Sequence, residues 1–481
     1  MVPSGAIMHR LSLLLFSLVL WNTGLAAQDN AIPDFGDGKS VTLDQEYYLG
    51  RAWLTSFRRQ VTMLNDAQVQ SYVEGIVYRL ATSSRLKDRR LEIVVVKNKS
   101  ANAFAVSGGI VGVHSGLLLE AENESQFASV LSHELAHLSQ RHFLQGLQAR
   151  NKSLTVGMTG LLNDMVSIAT TSPVAAKAGG GRQAPTLSGQ LRYSRVFESE
   201  ADTLGLQNLA SAGLDPGGAP GMLMVLQQNT PEYDIPAGGY LYVHRLSEAR
   251  IRELSDRAAA YPSKVYEDNR LFQLMRSRVE LNFFEDPGDA VTYFREKQKR
   301  GGKNRVANQY GLIIALTKNA DFDEARALLK PMREFAPSNI VYALAEANID
   351  IEDEQFDAAI ERLEELLRLT PKNHPITMYL SKAYYFAGRY ADAAEVLSRH
   401  SRTKPDDAYL WYLLALDREQ AGDMVGAHQA RAENLRLTGD IQQGIDQLNQ
   451  ALRLAERGVN RERIKSRLAH FQKVAAALQQ L

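Results

Sequence analysis

Most of the chain carries apolar residues at helical spacing, interrupted by one short region of strand character. Val69, Tyr72, Val73, Ile76, Val77 and Leu80 recur at steps of three and four, so residues 66–81 predict an amphipathic helix. Residues 43–59 read as another. Residues 91–96, Leu-Glu-Ile-Val-Val-Val, form a β-branched run and predict a buried strand. Residues 102–106 and 110–114 are two short strands turned by Ser107-Gly108-Gly109, a hairpin signal. Beyond them, the apolar run Phe127-Ala128-Ser129-Val130-Leu131 predicts a buried helix. Asn123 with Gln126 three residues later resembles a capping box and places its start. Residues 193–209 predict a further packed helix, with Leu204, Leu206 and Leu209 beside Gly205, ended by Gly213-Leu214-Asp215-Pro216.

From about residue 271 the pattern is helix after helix, and it repeats. Phe322, Phe356, Tyr390 and Met424 are 34 residues apart, as are Ala325, Ala359, Ala393 and Ala427. Pro337, Pro371 and Pro405 keep the same step, as do Gly388 and Gly422. This is the tetratricopeptide signature. The alanine lets two helices approach, the aromatic fills the gap, and the proline stops the second helix. Ala290 marks a degenerate earlier repeat, and residues 440–478 read as further helical pairs with Leu448, Leu452, Ile464 and Leu468 in the core. Such stacks expose a concave face for partners. Tyr379, Tyr384, Tyr385, Tyr409, Trp411 and Tyr412 are the aromatic candidates for it, with packing the role of most.

Composition narrows the class. The 481 residues include 55 basic and 55 acidic side chains, so no charge excess points to nucleic acid or an anionic membrane. Arg10, the apolar run of residues 11–21 and the small residues Gly24-Leu25-Ala26 have the layout of a secretory signal peptide, assigned to residues 1–27. There is no cysteine, hence neither a disulfide nor a lipid-attached cysteine. With no other stretch long and apolar enough to span a bilayer, a soluble periplasmic protein is expected.

The chemistry concentrates in Ser132-His133-Glu134-Leu135-Ala136-His137, an H-E-x-x-H. Histidines four apart on a helix share a face and can bind one zinc ion. Glu134 can then act as general base on water at the open coordination position. Glu198 and Asp202 are also four apart. A helical glutamate suits a third ligand, and Asp202 can fix the tautomer of a ligand histidine. A solvated acidic face is the alternative. If a peptidase is correct, the hairpin strand before the zinc helix offers an edge for an extended substrate; a purely structural hairpin is the other reading. Residues 153–182 are apolar but interrupted, then small and glycine-rich, and read either as a mobile cover over the site or as a connector. No Lys-Ser/Thr pair follows the glycines, which excludes a phosphate loop. His142, five residues past His137, is expected about 140° around the helix and off the metal. His114 is expected to pack rather than ligate. His374, His400, His428 and His470 share no ligand spacing. Without a cysteine or a G-x-S-x-G elbow, cysteine and serine hydrolases are disfavoured.

With these residues, together with Asn102-Ala103-Phe104-Ala105, Gly108-Gly109 and Ala212-Gly213-Leu214-Asp215-Pro216, the chain resembles the HtpX and CAAX-prenyl-protease group of zinc metallopeptidases, in its exported BepA/YfgC-like branch. The likeness runs over about residues 43–261. It implies zinc ligands at His133, His137 and Glu198, catalysis by Glu134 and a supporting role for Asp202. It also implies a histidine followed six residues later by arginine, here His244 and Arg250. Arg245 and Ser107 replace prolines usual in that group, which bears on loop geometry rather than on the zinc set. His244 has two readings: it stabilises the oxyanion, or it is a fourth zinc ligand that keeps the enzyme latent, as the exported members imply.

The expected architecture is mainly α. A zincin-like metallopeptidase domain with a small β-hairpin or sheet (residues 43–262) precedes an α-solenoid of tetratricopeptide repeats (residues 270–481). The resemblance implies misassembled outer-membrane proteins as substrates, contact with the β-barrel assembly machinery through the repeats, and a chaperone-like role. The rival of another class is a chaperone or adaptor whose metal site is kept closed.

Overall fold

The computed structural model describes residues 41–148, 194–229, 244, 246–262, 266, 269–302 and 304–479. The expected signal peptide and the glycine-rich stretch of residues 153–182 lie outside the described residues.

Helix α1 (Leu43–Arg58) starts where sequence predicts, because Thr42 and Gln45 form a reciprocal capping box. Its inner face buries Leu49, Trp53, Leu54 and Phe57. Trp53 and Phe57 stack at 4.8 Å, and Phe104 meets both rings edge-on. Helix α2 (Ala67–Ser83) buries the predicted stripe and is capped by Asp66, whose carboxylate accepts from the backbone N–H of Gln68 and Val69.

Strands β1 (Glu92–Val96), β2 (Ala103–Val106) and β3 (Ile110–His114) form one sheet in the order β1-β3-β2. The hairpin is as read, with Gly108 and Gly109 at φ of 93° and 79° in its turn. The sequence did not disclose the partner on the other side, where β3 pairs in parallel with β1, Glu92 opposite Ile110. A Cβ on Gly112 of β3 would lie 1.9 Å from the Phe104 ring, so the aromatic cluster needs glycine there.

After the short helix α3 (Ser115–Glu120) comes α4 (Glu124–Ser139), the H-E-x-x-H helix. Asn123 caps it by accepting from the Gln126 N–H. The return half of the box differs from expectation, since the Gln126 side chain accepts from Glu122 N. Every residue from Gln126 to His137 is buried. Around α4 pack α2, β2, α6 (Arg195–Ser211) and α7 (Gly218–Asn229). The most extensive packing is on α6, where Gly205 faces the His133 backbone and its carbonyl accepts from Ser132 Oγ at 2.9 Å. Helices α5 (His142–Gln148) and α8 (Glu248–Ala259) complete the surroundings.

The helical repeats follow. A pair α9 (Arg270–Leu281) and α10 (Pro287–Arg300) buries Ala290, the degenerate repeat. Then come α11 (Arg305–Lys318), α12 (Phe322–Phe335), α13 (Ile340–Glu352), α14 (Phe356–Leu369), α15 (His374–Phe386), α16 (Tyr390–His400), α17 (Ala408–Gln420) and α18 (Met424–Thr438). The 34-residue series of Phe322, Phe356, Tyr390 and Met424 opens α12, α14, α16 and α18, and the four matching alanines have no exposed surface. Helices α19 (Ile441–Leu454) and α20 (Val459–Gln479) end the stack and bury Leu448 and Ile464. Of the six aromatic candidates, Tyr409 and Tyr412 are exposed.

No gap separates the repeats from the first half. One buried core runs from Leu64 to Ile349 across both. Buried Arg278 of α9 grips Asp66 with two nitrogens and donates to Tyr310 and Tyr379. Further along, Lys404 pairs with Glu74 of α2, and Arg59 donates to the Gly439 carbonyl past α18. The repeats therefore close on α1 and α2. No helix among the described residues is long and apolar enough to cross a membrane.

Candidate metal centre

Three segments bring four side chains together: His133 and His137 from α4, Glu198 from the first turn of α6, and His244 just before α8. One donor atom from each lies within 4.8 Å of all the others, and all four residues are buried. The nearest distances are those of a coordination shell. His133 Nε2 is 3.0 Å from His137 Nε2 and 3.3 Å from His244 Nδ1. Glu198 Oε1 is 3.1 Å from His244 Nδ1 and 3.6 Å from His137 Nε2, and Oε2 is 3.6 Å from His133 Nε2. Ligands at ~2.0–2.1 Å from a tetrahedral ion stand about 3.3 Å apart. The donor set fits such an ion.

The far sides of the rings are held as ligands require. His133 Nδ1 donates to Asp202 Oδ1 at 3.0 Å, leaving Nε2 toward the cluster. Arg250 holds Asp202 through Nε and Nη2, both at 2.8 Å, and reaches Glu198 Oε2 at 2.7 Å. It also donates to the His244 carbonyl. So the His244 and Arg250 pair acts as one clasp, with Ser247 capping α8 between them.

His142 is the residue sequence reasoning misplaced. It was expected part-way round a continued helix. Instead α4 stops at Ser139, Arg141 adopts φ of 55°, and His142 opens a new helix. Its Nδ1 lies 2.9 Å from His137 Nδ1, its Nε2 lies 3.3 Å from Glu200 Oε2, and its ring stacks on Phe197. It stays off the donor cluster, as expected, but backs His137. The signal missed was Glu200, two residues from Glu198. His114 is buried against Ser100 Oγ at 2.7 Å and takes no part.

Electrostatics favour a cation. Burial, then the neighbouring imidazoles, hold His137 well below the ordinary histidine value, so it is neutral and ready to donate a lone pair. Burial would raise Asp202 and Glu198. In Asp202 the hydrogen bonds from His133 and Arg250 outweigh it, and in Glu198 the neighbouring His244 and His133 do, so both carboxyls are lowered. Glu134 differs: burial pushes its carboxyl up to about 8, against the lowering influence of His133. Its Oε1 sits 3.3 Å from His244 Nε2. Two neighbouring carboxyls, Glu198 and Glu134, are thus tuned apart.

A buried helix carrying H-E-x-x-H, a glutamate from a second helix and an edge strand packed alongside define a metallopeptidase. Residues 67–258 match Peptidase family M48, and residues 350–416 match the tetratricopeptide repeat family. The chain thus has a metallopeptidase domain similar to family M48, followed by helical repeats similar to the tetratricopeptide family. It is 28% identical over 445 residues to the beta-barrel assembly-enhancing protease of Escherichia coli (strain K12), covering 91% of each chain. The putative beta-barrel assembly-enhancing protease of Vibrio cholerae is 29% identical over 432 residues, 89% of each. Mitochondrial metalloendopeptidase OMA1 of Arabidopsis thaliana is 31% identical over 188 residues, 38% of this chain and 36% of that one.

Proposed function

We propose that the chain is a periplasmic, zinc-dependent endopeptidase that degrades misassembled outer-membrane proteins and helps correct ones assemble, with residues 1–27 as its signal peptide. The convergence of four donor atoms carries the metal reading. Likeness to beta-barrel assembly-enhancing proteases over nine tenths of the chain supports the client class. All-nitrogen-and-oxygen donors at tetrahedral spacing favour zinc. Its ligands are His133, His137 and Glu198, with His244 as a fourth. On this reading residues 43–262 form the peptidase and residues 270–481 the repeats that meet clients and the β-barrel assembly machinery.

A bound zinc ion supplies Lewis acidity to water and to the scissile carbonyl. Glu134 takes the proton released by water. The Ala105 backbone N–H of the edge strand helps to place its carboxyl. Asp202 keeps His133 in the ligating tautomer, and Arg250 is a positioning residue that holds Asp202 and Glu198. As an edge strand of the described sheet, β2 gives an extended peptide a strand to pair with.

His244 explains how such an enzyme stays harmless. Its Nδ1 stands in the fourth corner of the cluster, and its Nε2 approaches Glu134. The ring thus engages both the position water needs and the base that would activate it. His244→Ala should raise casein cleavage at least tenfold over wild type, and Glu134→Gln in that background should abolish it. Lower cleavage by His244→Ala would assign the ring to oxyanion stabilisation instead.

A further inference from the structure

A cavity of about 440 Å³ lies between α15 and α17 of the repeats and the start of α2. Its repeat wall is aromatic and aliphatic, with Met378, Tyr379, Tyr385, Phe386, Tyr409 and Leu413. Phe386 and Tyr409 are exposed. Asp66 and Ala67 contribute the opposite wall.

Four charged side chains line this space, and three are already matched. Arg278 is bound to Asp66, and Lys382 to Glu352 and Asn348. The fourth is Asp417, only 2% exposed. It accepts one hydrogen bond, from Ser381 Oγ at 3.1 Å, and among the described residues no basic side chain pairs with it. Arg418, its neighbour in sequence, turns to Asp423, Ser398 and the Gly426 carbonyl. Burial pushes the Asp417 carboxyl up to about 7, against the lowering effect of Ser381. Buried carboxylates are ordinarily matched by a cation, and one beside an open aromatic cavity is matched most simply from outside the chain. Aromatic faces around it suit a cation too.

We propose that this cavity binds an extended polypeptide segment by one arginine or lysine side chain set against Asp417, with apolar neighbours of that residue on Tyr385, Phe386 and Leu413. The site rests on the reading that the repeats receive client chains, and it adds what they select: a lone basic residue in an apolar stretch. Charge complementarity decides the occupant. A purely apolar segment would leave the carboxylate sealed without a partner, and an acidic one would face it directly.

The test uses the full chain carrying Glu134→Gln, so that bound peptide stays intact. The probes are two fluorescein-labelled decapeptides of valine, leucine and serine, one with a central arginine and one with citrulline there, its neutral isostere. Fluorescence anisotropy is expected to show at least tenfold tighter binding of the arginine peptide. Adding Asp417→Asn should remove that preference, and Phe386→Ala, a change at an exposed position, should weaken both peptides. Equal binding of the twins, or a preference that survives Asp417→Asn, overturns the proposal. The twin comparison needs no substitution in the cavity, so it stands even if Asp417→Asn misfolds. Casein cleavage by the His244→Ala chain is a separate readout: cleavage without arginine preference would sink this site and leave the peptidase reading intact.

Discussion

At the scale of single residues, the centre works by giving neighbouring carboxyls opposite surroundings. Asp202 and Glu198 are held ionised by imidazole and guanidinium, whereas Glu134 is held up to about 8 chiefly by burial. This has a consequence for stability in the metal-free protein. A folded-state value above the unfolded 4.5 means folding takes up a proton, so the contribution of Glu134 is fully present below 4.5 and is lost as pH rises through about 8. Relative to Glu134→Gln, chelator-stripped wild type should therefore lose about 2–4 kcal/mol of stability between pH 5 and 8. Urea denaturation at both pH values measures this. Parallel profiles for the two proteins would show that the carboxyl is not desolvated. The His133–His137 pair of α4 and the Glu198–Asp202 pair of α6 were readable at this scale because a step of four keeps side chains on one helical face. His142 was not, because a single left-handed residue, Arg141, ended the helix on which the extrapolation relied.

At the scale of elements, local pattern and local contact agree wherever the partner is near in sequence. Asp66, Asn123 and Ser194 each cap the helix that follows, and the hairpin turn falls on its two glycines. The parallel pairing of β1 with β3 escaped because nothing in either strand records its neighbour; both are apolar runs. The His374–His400 contact, with Nδ1 and Nε2 3.1 Å apart, escaped likewise, since two residues 26 apart in sequence are brought together by helix packing rather than by a ligand spacing. Gly112 shows how tightly the elements are fitted. Gly112→Ala would drive a methyl group into the Phe104 ring, which packs Trp53 and Phe57 of α1 over the sheet. A loss of about 1–3 kcal/mol is expected in urea denaturation. A neutral substitution would mean that the aromatic cluster repacks freely.

At the scale of the whole molecule, the 34-residue period was legible throughout, but not the way the repeats close on the peptidase. The period specifies each repeat's neighbours, whereas the closure depends on scattered polar anchors. Chief among them is Asp66, which both caps α2 and meets the buried Arg278. Asp66→Ala removes the cap and strands a buried cation, so a cost of about 3–5 kcal/mol is expected. Limited proteolysis should then cut between residues 262 and 270 faster than in wild type. Equal resistance would show that the apolar core alone joins the two halves.

The proposed function turns on a single ion, which the two imidazoles of α4, the carboxylate of α6 and the ring of His244 would hold. Metal content by mass spectrometry, on wild type and on Glu198→Ala purified without added metal, addresses it most directly. The expected result is about one zinc per chain in wild type and a near-complete loss in the variant. Wild-type protein without zinc, or Glu198→Ala retaining a full equivalent, would contradict it.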